Sequence, residues 1–308
     1  MNSTNKPLLS ICIPTDGNVN WVINTLQSIY NQNCDINAFE VIVTDNGVSK
    51  ELELAICKQE FPNNLYYYKT EEKGFLNIIS ALKKGNGLYC KMLNHRSILF
   101  PNVISEWIEV IRKYQTNKPT IYFSNNVLGN YKYKECSDFE TFVREMSYWS
   151  SWSAGIGIWD IDKPILDKIV YNEMFPNTSI LFETRQNGEY VIWNEKYQEM
   201  QDETGKGGYN IYKTFSVGYL DIINELRIKR RISIMTFTMI KTDLYSFIQE
   251  WYNILSSKNN KYTFDTSDME MYLNVYYSKK DINSIKKRNL YKLRKALRKL
   301  KGFIYSKQ

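Results

Sequence analysis

Two segments near the N-terminus end in polar residues that are able to do chemistry. The apolar runs LLSICIPT and FEVIVTDNG end in the clusters at residues 14–17 (PTDG) and 45–47 (DNG). A continuous run rich in Ile and Val is typical of a parallel strand that helices cover on both faces. Ligands of open α/β sheets bind just beyond the carboxyl ends of such strands. Asp45 therefore lies where a ligand or cofactor is expected, and an Asx turn at the strand end is the alternative.

Strand-like and helix-like segments alternate through the first 125 residues. After one strand, residues 75, 78, 79 and 82 are apolar and fall on one face of a helix. Strands that alternate with helices are joined by right-handed crossovers, so the pattern predicts a mainly parallel sheet. Strands are predicted at residues 8–15, 39–44, 65–69, 88–93 and 120–124. Residues 129–215 are aromatic and irregular with short strands such as 190–193, and residues 217–256 are predicted to be helical.

This alternation is shared with dinucleotide-binding Rossmann domains, which have a Gly-x-Gly-x-x-Gly turn after the first strand. Residues 14–20 read PTDGNVN instead, which argues against that class. The chain also contains 24 Tyr and 7 Trp, a density that suits stacking on sugars or bases; filling a core is the alternative.

The cysteines and the N-terminus argue against several classes of protein. The five cysteines are dispersed and form no Cys-x-x-Cys pair, so we expect neither a disulfide framework nor a zinc site. The N-terminus lacks the basic and apolar regions of a signal peptide. No stretch reaches the ~18 apolar residues of a membrane-spanning helix. These features predict a cytoplasmic protein.

The two strand ends resemble the opening of a family 2 glycosyltransferase of the GT-A fold, whose first strand ends in Ile-Pro-Thr and whose second ends in Asp-(Asp/Asn)-Gly. The block EEKGFLNIISALKKGNGLYCKML (residues 71–93) is similar to that family's Gly-x-x-x-Asn helix, followed by Gly-x-Tyr and a strand. The resemblance implies an α/β fold of the GT-A type, with a Rossmann-like, mainly parallel sheet and flanking helices. It also implies a nucleoside diphosphate sugar as donor.

The same resemblance assigns donor-binding residues. Pro14 and Thr15 would lie against the nucleobase, and Asp45 would accept hydrogen bonds from a base N–H or a ribose hydroxyl. Asn77 belongs to the matching helix. Lys73 could reach the base or a phosphate, and a solvated lysine is the alternative.

The metal motif of the family is absent. Most members have Asp-x-Asp after the strand equivalent to YCKML, where a carboxylate ligates Mg²⁺ or Mn²⁺. This chain has His95, Arg96 and Ser97 there, and none of them is a hard anionic oxygen ligand. Mg or Mn therefore stays possible without its usual ligands, and no cofactor is certain.

Three interpretations of this departure are open. Arg96 could bind the diphosphate in place of a metal and offset the charge on the leaving group, while His95 donates to a phosphate or sugar oxygen. Alternatively, the site has lost activity and only binds. A transition-metal site at His95 lacks partner His or Cys residues. We favour the first interpretation.

An inverting transferase also needs a carboxylate that takes a proton from the acceptor hydroxyl. The family commonly supplies it from a Glu-Asp pair, and residues 150–200 contain none. Residues 152–160 and 172–183 resemble the acceptor-side stretches, which makes Asp160 and Glu183 the candidates; ordinary surface carboxylates are the alternative. The Gly-rich loop before Lys213 could close over the donor phosphates and place Lys213 on them, or could be a plain turn.

The net charge of +7 is concentrated at the C-terminus, where residues 282–308 contain ten Lys or Arg and no Asp or Glu. Within this tail, Leu290, Leu293, Leu297, Leu300 and Ile304 recur at steps of three and four. The pattern predicts an amphipathic, cationic helix over residues 286–308 that could lie on an anionic membrane. A stripe packed on the protein and a dimerising helix are the alternatives. We expect no nucleic-acid partner, because the rest of the chain is net acidic and lacks a groove-reading motif.

Together these features predict a GT-A glycosyltransferase that moves a sugar, with inversion, from a nucleoside diphosphate to a saccharide or polyprenyl-linked glycan. UDP is the default nucleotide by family habit. The predicted setting is bacterial surface polysaccharide assembly at the inner face of the cell membrane, with peripheral attachment. A catalytically inactive sugar-nucleotide-binding subunit that docks on a membrane or partner enzyme is the alternative. The predicted organisation is a donor-binding half (1–125), an acceptor-binding half (126–216), a helical region (217–281) and the tail (282–308).

Overall fold

The structure is a computed structural model that describes residues 6–185 and 188–287. The chain divides into two compact units. The first consists of Met1–Phe142 and Trp149–Asp202, and the second of Val143–Tyr148 and Glu203–Gln308. The finer division predicted at residues 125, 216 and 281 stays a prediction. Most of the predicted tail helix lies outside the described residues.

Sixteen elements precede the second unit's long helices. In chain order they are β1 (Leu9–Thr15), α1 (Val19–Tyr30), β2 (Phe39–Asp45), α2 (Glu51–Lys58), β3 (Leu65–Lys69), α3 (Asn77–Lys84), β4 (Tyr89–Met92), β5 (Ser97–Leu99), α4 (Val103–Tyr114), β6 (Thr120–Phe123), β7 (Tyr133–Cys136), α5 (Phe139–Met146), β8 (Gly157–Trp159), α6 (Pro176–Glu183), β9 (Tyr190–Trp193) and β10 (Gln198–Met200). Short 3₁₀ helices lie at Ile36–Ala38, Gly74–Leu76, Ser147–Ser151, Ser153–Gly155 and Asp160–Asp167.

The central sheet confirms the predicted α/β class. Its strand order is β3-β2-β1-β4-β8, and the four strands β1 to β4 are parallel. Every residue of β2 is buried, as expected for a strand covered on both faces. The apolar faces of α1 and α4 pack into the same core as these strands. The strands predicted to end at Thr15 and Thr44 end at Thr15 and Asp45.

The predicted fifth strand has a different neighbour. β6 belongs to a separate sheet of order β6-β9-β7, where it pairs in parallel with β9. The edge of β4 is taken by β8, which runs antiparallel and pairs Tyr89 with Trp159. Gly157 permits this approach, since a β-carbon there would overlap the Tyr89 ring. Because β8 runs antiparallel to β4, Asp160, which follows β8, lies at the amino end of β4.

The second unit is mainly helical, as predicted. It contains β11 (Gly207–Asn210), a π-helical segment (Lys213–Tyr219), α7 (Leu220–Ile228), α8 (Ile234–Leu255), β12 (Thr263–Asp265), α9 (Met269–Leu273) and α10 (Lys279–Ile285). None of the helices in the described part of the chain is long and apolar enough to cross a bilayer.

A lysine is buried in the core of the first unit. The Lys91 side chain is fully inaccessible, and its Nζ donates to the backbone oxygens of Met92 (3.2 Å) and Ala154 (2.9 Å). Three rings surround the Nζ, with centroids 4.4 to 4.7 Å away: Trp107, Phe123 and Tyr197. Burial lowers the pKa of Lys91 well below its usual range.

We predict that Lys91→Met is at least as stable to urea as the wild type at pH 7, with a gain on the order of 1 to 3 kcal/mol. At pH values below the ordinary pKa of lysine, the folded protein binds fewer protons at Lys91 than the unfolded chain does. Wild-type stability therefore gains from raising the pH toward that value, and the variant's advantage shrinks at pH 9.5.

The matched control is Lys84→Met, which removes an exposed lysine that lies 4.7 Å from the Tyr68 ring. It should change the free energy of unfolding by no more than about 0.5 kcal/mol at either pH. A large loss of stability in Lys91→Met at both pH values would mean that the aromatic rings stabilise a charged Lys91.

Candidate functional site

The polar strand ends meet at the carboxyl edge of the central sheet. Parallel register pairs Thr15 with Asp45 and Asp45 with Lys69, while Cys12 pairs with Met92 near the end of β4. The loops that follow these four strands therefore lie side by side. This is the edge at which open α/β sheets bind their ligands.

Asp45 is fully buried, and three groups of the chain donate to its carboxylate. Oδ1 accepts from the Gly47 N–H (2.7 Å), which is the Asx turn considered from the sequence. Oδ2 accepts from the Tyr67 hydroxyl (2.7 Å) and the Lys69 ammonium (3.0 Å). Burial and the Asp45 hydrogen bond raise the pKa of Tyr67, which keeps this donor protonated. A base or ribose contact to Asp45 stays a prediction.

Sequence reasoning missed Tyr67 and Lys69. They are two residues apart on β3 and so point to the same face. Lys69 is also exactly in register with Asp45 once β2 and β3 are paired. The signal available was a tyrosine and a lysine alternating at the end of a predicted strand, next to a strand that ends in aspartate.

Asn77 holds three strand ends together. Its amide nitrogen donates to the backbone oxygens of Thr44 (2.7 Å) and Thr15 (3.2 Å), and its Oδ1 accepts from the Thr70 hydroxyl (2.9 Å). Both amide hydrogens are thus used within the protein. Asn77 positions the site in this geometry, and its contact with a donor stays a prediction.

Lys73 lies on an exposed loop at the same edge. The Asn46 side chain donates to the backbone oxygens of Glu72 (2.7 Å) and Gly74 (3.0 Å), which fixes the loop on both sides of Lys73. The lysine can therefore reach outward from a fixed backbone. Its contact with a base or phosphate stays a prediction, as does that of the half-buried Pro14.

His95 follows β4 and contacts the end of β1. Its Nδ1 lies 2.7 Å from the Thr15 hydroxyl and 3.7 Å from an oxygen of Asp16, and 13% of its side chain is exposed. Burial lowers the pKa of His95 to about 4; the charge of Asp16 opposes this shift and that of Arg96 adds to it. The imidazole is therefore neutral at pH 7, with one N–H to donate.

Arg96 is held by stacking. Its guanidinium carbon lies 3.7 Å from the centroid of the Trp21 ring, in the first turn of α1. The backbone of Arg96 is fixed as well, because its N–H donates to the Asn94 side chain (2.9 Å) and its oxygen accepts from the Gln201 N–H (2.9 Å). Trp21 was not predicted, since nothing in the sequence links it to a residue 75 positions away.

Few donor atoms at this edge suit Mg²⁺ or Mn²⁺, which proteins hold through one or two carboxylates together with waters and substrate phosphates. The Asp45 carboxylate is engaged by its three donors, and Asp16 lies beside the only histidine. Across the described residues, no three His, Cys, Asp or Glu side chains are grouped so as to hold a metal ion. We therefore derive no chemical step through a metal.

Asp160 lies at the opposite edge of the sheet. Because β8 is antiparallel to β4, Trp159 pairs with Tyr89, and the Asp160 N–H donates to the Leu88 oxygen before β4 begins. Asp160 forms ion pairs with Lys6 (2.6 Å) and Lys118 (3.4 Å). Burial alone would raise the pKa of Asp160, but these two lysines lower it. This position does not support Asp160 as the general base, which must reach the acceptor beside the donor.

Glu183 ends α6 on the same side as Asp160. Two residues later, the Arg185 Nε donates to Asp162 (3.0 Å), and its guanidinium also contacts the Lys118 backbone oxygen. Thr184 lines a small cavity together with Trp159 and Asp162. Glu183 therefore belongs to the amino edge, and its predicted role as base is not supported either.

Lys213 belongs to the second unit. It opens the π-helical segment, its side chain is exposed, and its N–H donates to the Asn210 side chain (2.9 Å). Its predicted contact with donor phosphates stays a prediction.

We predict that the imidazole of His95 titrates near pH 4 and not near 6.5. Because His95 is the only histidine, its Cε1–H resonance can be followed by NMR without assignment. The unfolded chain binds the proton more tightly, so acidification from pH 6.5 to 4 destabilises the wild type relative to His95→Gln by about 1.4 kcal/mol per pKa unit. A midpoint above pH 6 would contradict the buried placement.

Comparisons with known proteins give one sequence relative and a shared fold. Over 121 residues the chain is 26% identical to a protein from Rickettsia bellii (strain RML369-C) described as an uncharacterized glycosyltransferase. The matched region is 39% of this chain and 17% of that protein, so the chain spans less than a fifth of the relative's length. No family model matches the chain.

The fold is that of S. aureus TarS. A crystal structure of TarS in complex with UDP superimposes with a TM-score of 0.50 at 12% identity, covering 91% of this chain and 75% of that one. The complex of TarS with UDP-GlcNAc gives a TM-score of 0.51 at 12% identity, with coverages of 86% and 70%. The chain therefore shares the overall fold of TarS, with a mainly parallel sheet.

Proposed function

We propose that this protein is a GT-A glycosyltransferase that moves a sugar from a UDP-linked donor to a saccharide acceptor. Three observations support the proposal. The fold is shared with TarS, whose structures include complexes with UDP and UDP-GlcNAc. Part of the sequence is similar to a protein described as a glycosyltransferase. The strand ends that resemble family 2 members lie together at the ligand-binding edge of the sheet.

The observation that carries the proposal is the stack of Arg96 on Trp21 beside the neutral imidazole of His95. A nucleoside diphosphate brings at least two negative charges to this edge. Arg96 offers a planar pair of donors that matches phosphate oxygens, and the stack limits the conformations that it must give up on binding. A cation is thus present where the family usually has a metal.

The chemical step needs stabilisation of the charge that develops on the departing UDP. Arg96 would supply it by hydrogen-bonding the diphosphate oxygens more strongly as the glycosidic bond breaks. His95 would donate its imidazole N–H to a phosphate or sugar oxygen. Asp45, buried with its carboxylate held by Gly47, Tyr67 and Lys69, would fix the loop after β2 against which the base or ribose would lie.

The acceptor side is proposed from the family resemblance. The acceptor hydroxyl would attack the anomeric carbon in line, with inversion, and the acceptor would be a saccharide or polyprenyl-linked glycan of a bacterial surface polysaccharide. Neither Asp160 nor Glu183 lies at the donor edge, so the carboxylate base is left unassigned.

A second candidate function is a catalytically inactive subunit that binds sugar nucleotides. The specific observation in its favour is that residues 95–97 provide no carboxylate and that both candidate bases lie at the far edge. Both functions predict nucleotide binding. Transfer or slow hydrolysis of the donor separates them.

The proposed location is the inner face of the cell membrane, with residues 286–308 as a peripheral anchor. The basic residues of this segment would each contribute roughly 1 kcal/mol near an anionic leaflet. Residues 288–308 lie outside the described part of the chain, so this proposal depends on their sequence.

We predict that Arg96→Ala lowers kcat for sugar transfer by about 100- to 1000-fold, because it removes a donor to the transition-state charge. UDP affinity should fall by about tenfold or more, while uridine, which lacks phosphate, should bind as before. Trp21→Leu should give an intermediate loss, since the guanidinium remains but is no longer held.

The matched control is Arg112→Ala, which removes an exposed arginine of α4 in the same unit. It should leave transfer and UDP binding unchanged. Full activity of Arg96→Ala together with strict dependence on Mn²⁺ would contradict the proposed role of Arg96.

We predict that Asp160→Asn and Glu183→Gln keep kcat within about threefold of the wild type, because both residues lie away from the donor edge. Asp160→Asn should instead lower the free energy of unfolding by about 1 kcal/mol through loss of its partly buried ion pairs. A loss of kcat beyond 100-fold in either variant, with its fold intact, would restore that residue as the candidate base.

A further inference from the structure

The turn between α7 and α8 exposes apolar side chains at its two ends. Ile228, the last residue of α7, is 65% exposed; Ile234 and Met235, the first residues of α8, are 59% and 80% exposed. Only five residues separate the two helices. Single exposed hydrophobic residues are normal on a surface, but three at one end of a helical hairpin form a patch.

The same stretch of chain also buries apolar side chains, so burial was available near the turn. Leu226, Ile232 and Phe237, from the same stretch of chain, are buried. The backbone is also fixed: the Arg231 N–H donates to the Leu226 oxygen (2.9 Å), and the Ser233 side chain caps α8. The exposure of Ile228, Ile234 and Met235 is therefore a property of a defined conformation.

Basic residues adjoin the patch in sequence. Arg227, Lys229, Arg230 and Arg231 lie within or beside the turn, and Lys229 and Arg230 are exposed. The nearest acid in sequence is Glu225, which pairs with Lys229 at 2.7 Å. No Asp or Glu occurs between Glu225 and Asp243. Residues 225–235 thus carry four basic side chains and one acid.

We propose that residues 227–235, the α7–α8 tip, dock on an anionic lipid bilayer. Ile228, Ile234 and Met235 insert among the headgroups and upper acyl chains, and the basic side chains contact lipid phosphates. Apolar side chains ringed by cations are the combination that binds interfaces of this kind. The aliphatic stems of Lys and Arg extend the apolar surface while their charged ends stay at the headgroups.

The proposed membrane surface does not require the protein to be a transferase. It adds a second membrane contact, made of residues that the structure describes, to the one proposed for residues 286–308. A soluble anionic partner would be bound by the charges alone and would leave the apolar residues without a role. The bilayer accounts for both features together.

The test is cosedimentation of the full-length chain with vesicles of phosphatidylcholine, with and without one quarter phosphatidylglycerol. The apolar variant is Ile228→Ser/Ile234→Ser/Met235→Ser, and the charge variant is Lys229→Gln/Arg230→Gln. Ile161→Ser/Val170→Ser removes two exposed apolar residues of the first unit and serves as the control. Lys295→Gln/Arg298→Gln/Lys299→Gln tests the tail within the intact chain.

On anionic vesicles, the apolar variant should lower the partition coefficient by about tenfold or more. The charge variant should lower it by about fivefold per residue removed, the equivalent of about 1 kcal/mol each. High salt should abolish the charge effect, and the control should bind like the wild type. In the wild type, vesicles should protect amides of the tip from hydrogen exchange.

Unchanged vesicle binding by the apolar variant, with no protection of the tip in the wild type, overturns the proposal whatever the tail variant does. Loss of self-association in the apolar variant, with vesicle binding intact, assigns the tip to a second copy of the chain and also overturns it. Because the hydrogen-exchange measurement uses the wild type, the proposal stays testable if the triple variant folds poorly.

Discussion

In-register parallel pairing of β1, β2 and β3, with β4 beside β1, is the constraint on which the rest of the site depends. It places the ends of four segments that are far apart in sequence at one edge of the sheet. A slip of one residue would turn Asp45 and Lys69 to opposite faces. The amide of Asn77, bonded to the ends of β1 and β2 and to Thr70 just after β3, opposes such a slip. The register of these strands thus fixes both the positions of the site's side chains and the contacts that they make.

The structure accommodates three ionisable groups at this edge in three ways. Asp45 is buried with a cation and two neutral donors; His95 gives up its proton because burial disfavours the charged ring; Arg96, which stays charged, lies on the face of Trp21. The result is an edge that keeps one positive group, Arg96, near the place where we propose that a diphosphate binds. Charge complementarity of this kind favours an anionic ligand before any specific contact is considered.

The elements of the first unit were largely predictable, because each rests on a local pattern. Residues 78, 79 and 82 fall on one helix face, and β2 is a continuous apolar run. The partners were not predictable, because pairing is a property of two distant segments. Lys69 meets Asp45 through register, and Trp21 meets Arg96 through packing. Asp160 lies at the far edge because β8 runs antiparallel, a direction that a three-residue strand does not encode.

We propose that this edge binds a nucleoside diphosphate sugar with Arg96 in place of a metal ion. The most direct measurement is isothermal titration of the wild-type protein with UDP-GlcNAc and UDP, in excess EDTA and in Mn²⁺. We expect both ligands to bind in EDTA, with Kd values within about twofold of those in Mn²⁺, because Arg96 takes the place of the ion. Binding only in Mn²⁺, or no binding under either condition, would contradict it.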